Sequence, residues 1–199
     1  MEILYQRLKS LTRFPAEELI PALGLFQLIR LPARTILLEP GQLSETAWFV
    51  ETGILRAFYN VEEQKRSIGF CKNDKIHREV TSWIVPDGGF LTDFSSFLYQ
   101  KPAKYFIETV EPSRLYALSR ESYQHISMQF PAIAKALFEH TILMTDMRVQ
   151  MCNLRNPKDR LSMFHQMYPG LTARLSVNMQ ASYLNIDPTT LSRLRGKEK

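Results

Sequence analysis

Cysteine is scarce in this sequence: there are two in 199 residues, Cys71 and Cys152, with no paired spacing between them. That excludes a disulfide framework and a cysteine metal cluster, and both thiols are expected to be free. Long apolar runs are missing as well. No stretch without Asp, Glu, Lys or Arg is longer than that from Ser122 to Ala134; it is partly polar and falls short of the ~18 apolar residues that a spanning helix needs. The first residues, Met1-Glu2-Ile3-Leu4-Tyr5-Gln6-Arg7, lack the basic start, apolar run and small-residue cleavage site of a signal peptide. A cytoplasmic protein with no membrane partner is expected. Histidine is also sparse. Of the four, only His77 falls in β-like sequence, while His125, His140 and His165 fall in helical stretches. An enzyme on a β-sandwich, such as a cupin-type metal oxygenase, needs His and carboxylate ligands gathered on adjacent strands. With no such cluster and no nucleophile motif, no catalytic residue, no metal and no cofactor is expected.

What is present is an ordinary globular composition, 45% hydrophobic and 23% charged, too apolar for intrinsic disorder and sufficient to bury a core. The charge is unevenly placed. Residues 1–145 carry 16 basic and 16 acidic side chains, whereas residues 146–199 carry nine basic and four acidic ones, so the net +5 lies entirely in the last quarter. A basic segment on a neutral body is the footprint of a polyanion-binding module.

Helical spacing opens the chain at Leu4, Leu8, Leu11, Leu19 and Leu23. From about residue 25 to 120 the pattern changes to short β-branched and aromatic segments, among them Thr35 to Leu38, Ala47 to Val50, Ile54 to Tyr59 and Tyr105 to Val110. Turn signals separate them at Pro40-Gly41, Thr52-Gly53, Asn73-Asp74 and Asp87-Gly88-Gly89, the spacing of an antiparallel sandwich or barrel. After Pro131 a long helix follows. Ile133, Leu137, His140, Met144, Met147, Met151 and Leu154 alternate spacings of four and three, a heptad seam that predicts pairing with a second copy of the chain, with packing of the stripe on its own β-domain as the alternative. Asn156-Pro157 interrupts it, and Lys158 to Met167 reads as a short amphipathic helix.

The most specific segment is Ser176 to Arg195, which reads as helix, tight turn, helix. Ala181 is small where two crossing helices touch, Asn185 suits a left-handed turn, Asp187 is a cap and Pro188 a first helical residue. Ile186, Leu191 and Leu194 share one face, leaving Thr189, Thr190, Ser192, Arg193 and Arg195 outward on a candidate recognition helix for duplex DNA.

With these residues in hand the chain resembles the cyclic-AMP receptor protein/Fnr-type (Crp/Fnr) transcription regulators along nearly its whole length. The resemblance rests on Glu39-Pro40-Gly41-Gln42, Phe49 to Arg56, Arg160 to Phe164 with Tyr168-Pro169, and Ala181 to Arg195. It implies an α+β fold: a double-stranded β-helix of the cyclic-nucleotide-binding type with N-terminal helices over residues 1–130, a dimerisation helix over 131–155, and a helix-turn-helix domain over 156–199. It also implies a homodimer reading a palindromic site, and an effector pocket near Thr92, Asp93, Phe94, Lys104 and Tyr105. The family's nucleotide cassette supplies a Gly-Glu pair and, further on, an Arg after Pro. Here Thr92-Asp93 and Ala103 stand at those places, so cyclic AMP is not expected as the effector, and none other is indicated. Four residues follow Arg195, too few for the family's β-hairpin wing, and Lys197 and Lys199 are expected to take over its backbone contacts. The charged stretch Glu62 to Arg78 reads as a solvated hairpin, with contact to RNA polymerase as its functional reading. A signalling adaptor of the same fold that has lost DNA or ligand binding is the second reading.

Overall fold

The computed structural model describes residues 1–12, 14–64 and 75–196. Lys197, Lys199, Cys71 and the middle of the charged stretch, residues 65–74, lie outside them.

Two short helices open the chain, α1 (Glu2–Thr12) and α2 (Ala16–Leu23), followed by strands β1 (Gln27–Leu31), β2 (Ile36–Leu38), β3 (Thr46–Thr52), β4 (Ile54–Gln64), β5 (Lys75–Pro86) and β6 (Phe90–Leu91). Helix α3 (Phe94–Tyr99) precedes β7 (Phe106–Thr109) and β8 (Ser113–Ser119). Five further helices complete the described chain: α4 (Arg120–Gln129), α5 (Pro131–Asn153), α6 (Pro157–Met167), α7 (Val177–Leu184) and α8 (Pro188–Gly196). The strands form two four-stranded sheets, in the orders β1-β8-β3-β6 and β2-β7-β4-β5. Every pairing is antiparallel.

Alternation along β3, β4, β7 and β8 sends one set of side chains between the sheets, because successive residues of a strand face opposite sides. Leu38, Trp48, Val50, Leu55, Leu91, Ile107 and Leu115 form that layer, with Trp83 and Tyr105 packed against it. The β3–β4 turn needs glycine. Gly53 has φ +117°, and a Cβ there would come 2.2 Å from Ser113 Oγ, closer than any side chain tolerates.

Helix α5 is apolar on more than one face, and this decides its packing. At its start Ile133 enters a core with Leu4, Leu8 and Ile126. At its end Met151 enters a second core with Leu161, Phe164, Tyr183 and Leu191. This second core also takes in Ile54 and Ile84 from the sheets, so the C-terminal helices are packed onto the β-layer. The expected seam is therefore turned toward its own chain: Ile133 and Met151 are fully buried in it, and Leu137, His140, Met144 and Met147 are half-buried. Leu137, His140, Met144 and Met147 keep part of their surface open, and the expected pairing with a second copy is a proposal about the same helix. A helix of 23 residues, about 35 Å at 1.5 Å per residue, is long enough to touch α1 at one end and the helix-turn-helix at the other. Phe138, Ile142, Leu143 and Val149 are left at least half exposed.

Candidate nucleic-acid interface and effector region

The helix-turn-helix is built by local rules. Ser176 caps α7 by accepting from Met179 N. Asn185 ends it in the left-handed region at φ 51°, and Ile186 N donates back to Ala181 O while Asn185 N donates to Ser182 O, a Schellman-type stop. Ala181 is fully buried at the crossing. Asp187 Oδ1 then accepts from Thr189 N at 2.8 Å, Thr190 N at 3.4 Å and the Thr189 hydroxyl at 2.5 Å. The Thr189 hydroxyl and then its N–H hold the Asp187 carboxyl below the usual range. Leu191 is buried, and Ile186 and Leu194 pack on the same core.

Within α8 the predicted DNA-contact residues divide. Thr189, Ser192 and Arg193 are exposed, and Thr190 is half-buried. Arg195 is half-buried and donates to Thr172 O at 3.3 Å, so its guanidinium ties the helix to its own domain. Lys197 lies outside the described residues.

The effector residues do not converge on one cavity. Asp93 is buried and caps α3: Oδ1 accepts from Ser96 N at 3.1 Å and Ser95 Oγ at 2.9 Å, and Oδ2 accepts from Lys104 N at 2.9 Å. Both carboxylate oxygens of Asp93, expected at an effector pocket, are thus engaged by the protein's own donors. Thr92 Oγ1 donates to Thr46 O at 2.9 Å and lies 3.0 Å from Ser44 Oγ. The Lys104 side chain is exposed, and Tyr105 packs on the inter-sheet layer, 6.1 Å from the Tyr59 ring centre. Phe94 and Thr92 line a cavity of about 430 Å³. Ala103, standing where a nucleotide-binding relative has Arg, is buried among Leu38, Trp48 and Ile107.

No protein-family model and no curated protein sequence matches the chain. Solved structures do. FixK2 from Bradyrhizobium japonicum aligns with a TM-score of 0.66 at 14% identity, over 86% of this chain and 83% of that one. The c-di-GMP responsive global regulator CLP of Xanthomonas campestris gives 0.64 at 18% identity, over 92% and 91%. The catabolite activator protein of Thermus thermophilus gives 0.54 at 20% identity, over 96% and 85%. The fold is that of the Crp/Fnr regulators.

Within this Crp/Fnr fold, charge counting does not reveal how several arginines are used. Arg160 donates to Leu184 O at 2.9 Å and Asn185 O at 2.6 Å, meeting the free carbonyls at the end of α7 where a cation is favoured. Arg174 reaches Asp87 Oδ2 at 2.8 Å, Gly53 O at 3.1 Å and the Glu111 carboxylate. Arg148 lies over the Tyr183 ring and donates to Ser82 O at 3.3 Å. With Arg195, four of the nine basic residues in the last quarter thus make contacts that hold the fold together. Ser182 was missed as well. A bulge at Ser82 shifts the β4–β5 register between Ala57 and Phe58; Thr81 N donates to Ser182 Oγ at 2.8 Å, and that hydroxyl donates to Glu79 O at 3.1 Å. The edge strand β5 is thereby covered by α7, as open edges require. The local signal was a serine on an otherwise core-facing helix.

Proposed function

We propose that the chain is a cytoplasmic DNA-binding transcription regulator of the Crp/Fnr type and not an enzyme, acting as a homodimer that reads a palindromic duplex with α8. The division into a sensor roll (1–130), a dimerisation helix (131–155) and a helix-turn-helix domain (156–199) belongs to this reading. The observation that carries it is the outward polar face of α8, Thr189, Ser192 and Arg193, on a helix fixed by the Asn185 turn and the Arg160 staple. A short helix offering hydroxyls and a guanidinium fits the major groove, where Arg binds guanine edges bidentately. Dimerisation uses the face of α5 that its own chain leaves open, Phe138, Ile142 and Val149, at spacings of four and seven along the helix. Two recognition helices then meet half-sites about one turn (~10 bp) apart. A contact between the charged β4–β5 hairpin and RNA polymerase completes the reading. CLP is described as c-di-GMP responsive, but the inter-sheet layer here is closed by side chains, and a cyclic nucleotide is not the effector in this reading.

Selection from a random duplex library tests the proposal. A palindromic consensus is expected, with Arg193→Ala relaxing base preference at a cost of about 1–3 kcal/mol. Recovery of no palindrome overturns it in favour of an adaptor of the same fold.

A further inference from the structure

A sizeable cavity lies where the three parts of the molecule meet. Its walls come from the end of β5 and from β6, from His140, Thr141 and Met144 on α5, from Arg7 on α1, and from Tyr168, Leu171 and Arg174 beyond α6. Its volume of about 430 Å³ falls within the ~300–1,000 Å³ typical of small-molecule sites. Ile84, Phe90, Leu91 and Met144 supply apolar wall, and methionine adapts to varied shapes. A smaller cavity of about 50 Å³ adjoins it, sharing Phe90, Leu91, Thr92, Phe94 and Thr141.

Charge is confined to the larger of the two. Arg174 and Asp87 both line it but engage one another at 2.8 Å, and Glu111 also holds Arg174. Arg7 differs. Its Nε donates to Gly88 O at 2.8 Å, and among the described residues no carboxylate meets its two terminal nitrogens. Gly88, at φ +81°, lies beside them: a Cβ there would stand 3.4 Å from one terminal nitrogen, at ordinary contact distance. His140 stands half-buried on the same wall, and burial and the nearby Arg7 charge hold its imidazole below its ordinary pKa. One uncompensated guanidinium thus faces the space, with a neutral imidazole beside it and apolar wall beyond.

We propose that this cavity binds a small organic monocarboxylate with an apolar body, and that it, not the interior of the roll, is the effector site. The word effector rests on the regulator reading above; the binding does not. A single negative charge matches the single free cation among the described lining residues, whose two terminal nitrogens form a fork suited to a carboxylate. A dianion would bring a second charge toward Asp87 with no cation left to meet it. The adjoining cavity, walled without Lys, Arg, Asp, Glu or His, extends the room for the apolar body. A ligand here touches the sheet, α5 and the helix-turn-helix domain together, so its binding is linked to how they sit on one another.

Calorimetric titration of the full chain with octanoate, 4-phenylbutyrate and indole-3-acetate, beside 1-octanol and 4-phenylbutanol, tests the proposal. At least one acid is expected to bind one site per chain, with octanoate or 4-phenylbutyrate at least tenfold tighter than its alcohol. Arg7→Met should reduce that preference to threefold or less, and Arg7→Lys should keep part of it. Met144→Trp, which adds bulk to the wall while leaving residue 7 an arginine, should abolish binding, with the thermal midpoint of each variant checking that it folds. Excess cyclic AMP should displace nothing. Saturable binding by none of the acids, equal binding of acid and alcohol, or unchanged binding by Met144→Trp overturns the site. An acid that binds without changing affinity for the selected duplex at least threefold overturns its role as effector. Failure to select any duplex counts against the regulator reading and leaves the titration result standing.

Discussion

The Arg148 guanidinium lies 3.9 Å from the centre of the buried Tyr183 ring, joining the long helix to the first helix of the helix-turn-helix. The same side chain donates to Ser82 O at the β5 bulge, so one residue of α5 holds both the sheet and α7. A cation over a desolvated ring contributes about 1–2 kcal/mol, and the hydrogen bond about 1 kcal/mol more. Arg148→Met keeps most of the apolar stem and removes both contacts. Chemical denaturation is expected to show a loss of about 1–3 kcal/mol, with Arg148→Lys intermediate because an ammonium lacks the planar face. No change in the midpoint would mean that the stacking does not couple the two helices.

The two faces of α5 give opposite expectations. Ile142→Glu combined with Val149→Glu places charge on side chains that are half exposed in one chain, so the fold should persist while light scattering reports a halved mass. Ile133→Ala empties a fully buried position and should cost about 2–5 kcal/mol of stability with no direct effect on the dimer contact. If the double variant keeps its mass, α5 does not dimerise through that face.

These expectations show where sequence reading ends. The helix-turn-helix was legible because its signals are local: Ala181, Asn185, Asp187 and Pro188 each act on neighbours within a turn or two. The seam of α5 was legible as a buried stripe but not as to what buries it, since a heptad spacing is satisfied equally by a partner helix or by α1 and α6–α8 of the same chain. The arginines were counted as one basic patch, yet the partners of Arg174, Asp87 and Glu111, lie 87 and 63 residues away in sequence. No window on the sequence places them together. Helix α3, with six residues, is too short to show a helical period, and its one local sign, the Asp93 cap, was read instead as a ligand contact. The cavity at Arg7 was invisible for the same reason as the Arg174 clamp, its walls being drawn from both ends of the chain.

Acid should weaken the fold through His140. Burial and then Arg7 lower its pKa below the ordinary value near 6.5. The unfolded chain therefore binds its proton first as pH falls, and stability drops from about pH 6.5 down to the lowered folded-state pKa. Above 6.5 both states are neutral and the contribution vanishes. Arg7 from α1, Asp87 from the end of β5 and Arg174 beyond α6 share the cavity wall with it. Thermal midpoints between pH 7.5 and 5 should fall less steeply in His140→Gln than in the unaltered chain. An identical pH profile for the two proteins would remove His140 from the account.

Neither cyclic AMP nor cyclic GMP should bind. A cyclic phosphate buried between the sheets needs its charge met by placed donors, because an uncompensated buried anion costs several kcal/mol. Here the position after Pro102 is Ala103, packed among Leu38, Trp48 and Ile107, and both oxygens of Asp93 are engaged by Ser95, Ser96 and Lys104. Asp93→Ala should therefore act on stability alone, costing about 1–2 kcal/mol for the lost cap and more for the Lys104 N–H left without its acceptor. Restoring the missing guanidinium should not restore the ligand. Ala103→Arg would push a long charged side chain into a filled layer, where overpacking alone costs about 1–3 kcal/mol, so the variant is expected to be destabilised and still silent in calorimetry. Micromolar binding of either nucleotide by the unaltered chain, abolished by Asp93→Ala, would mean that the inter-sheet layer opens to admit it and that Asp93 exchanges its own donors for those of the ligand.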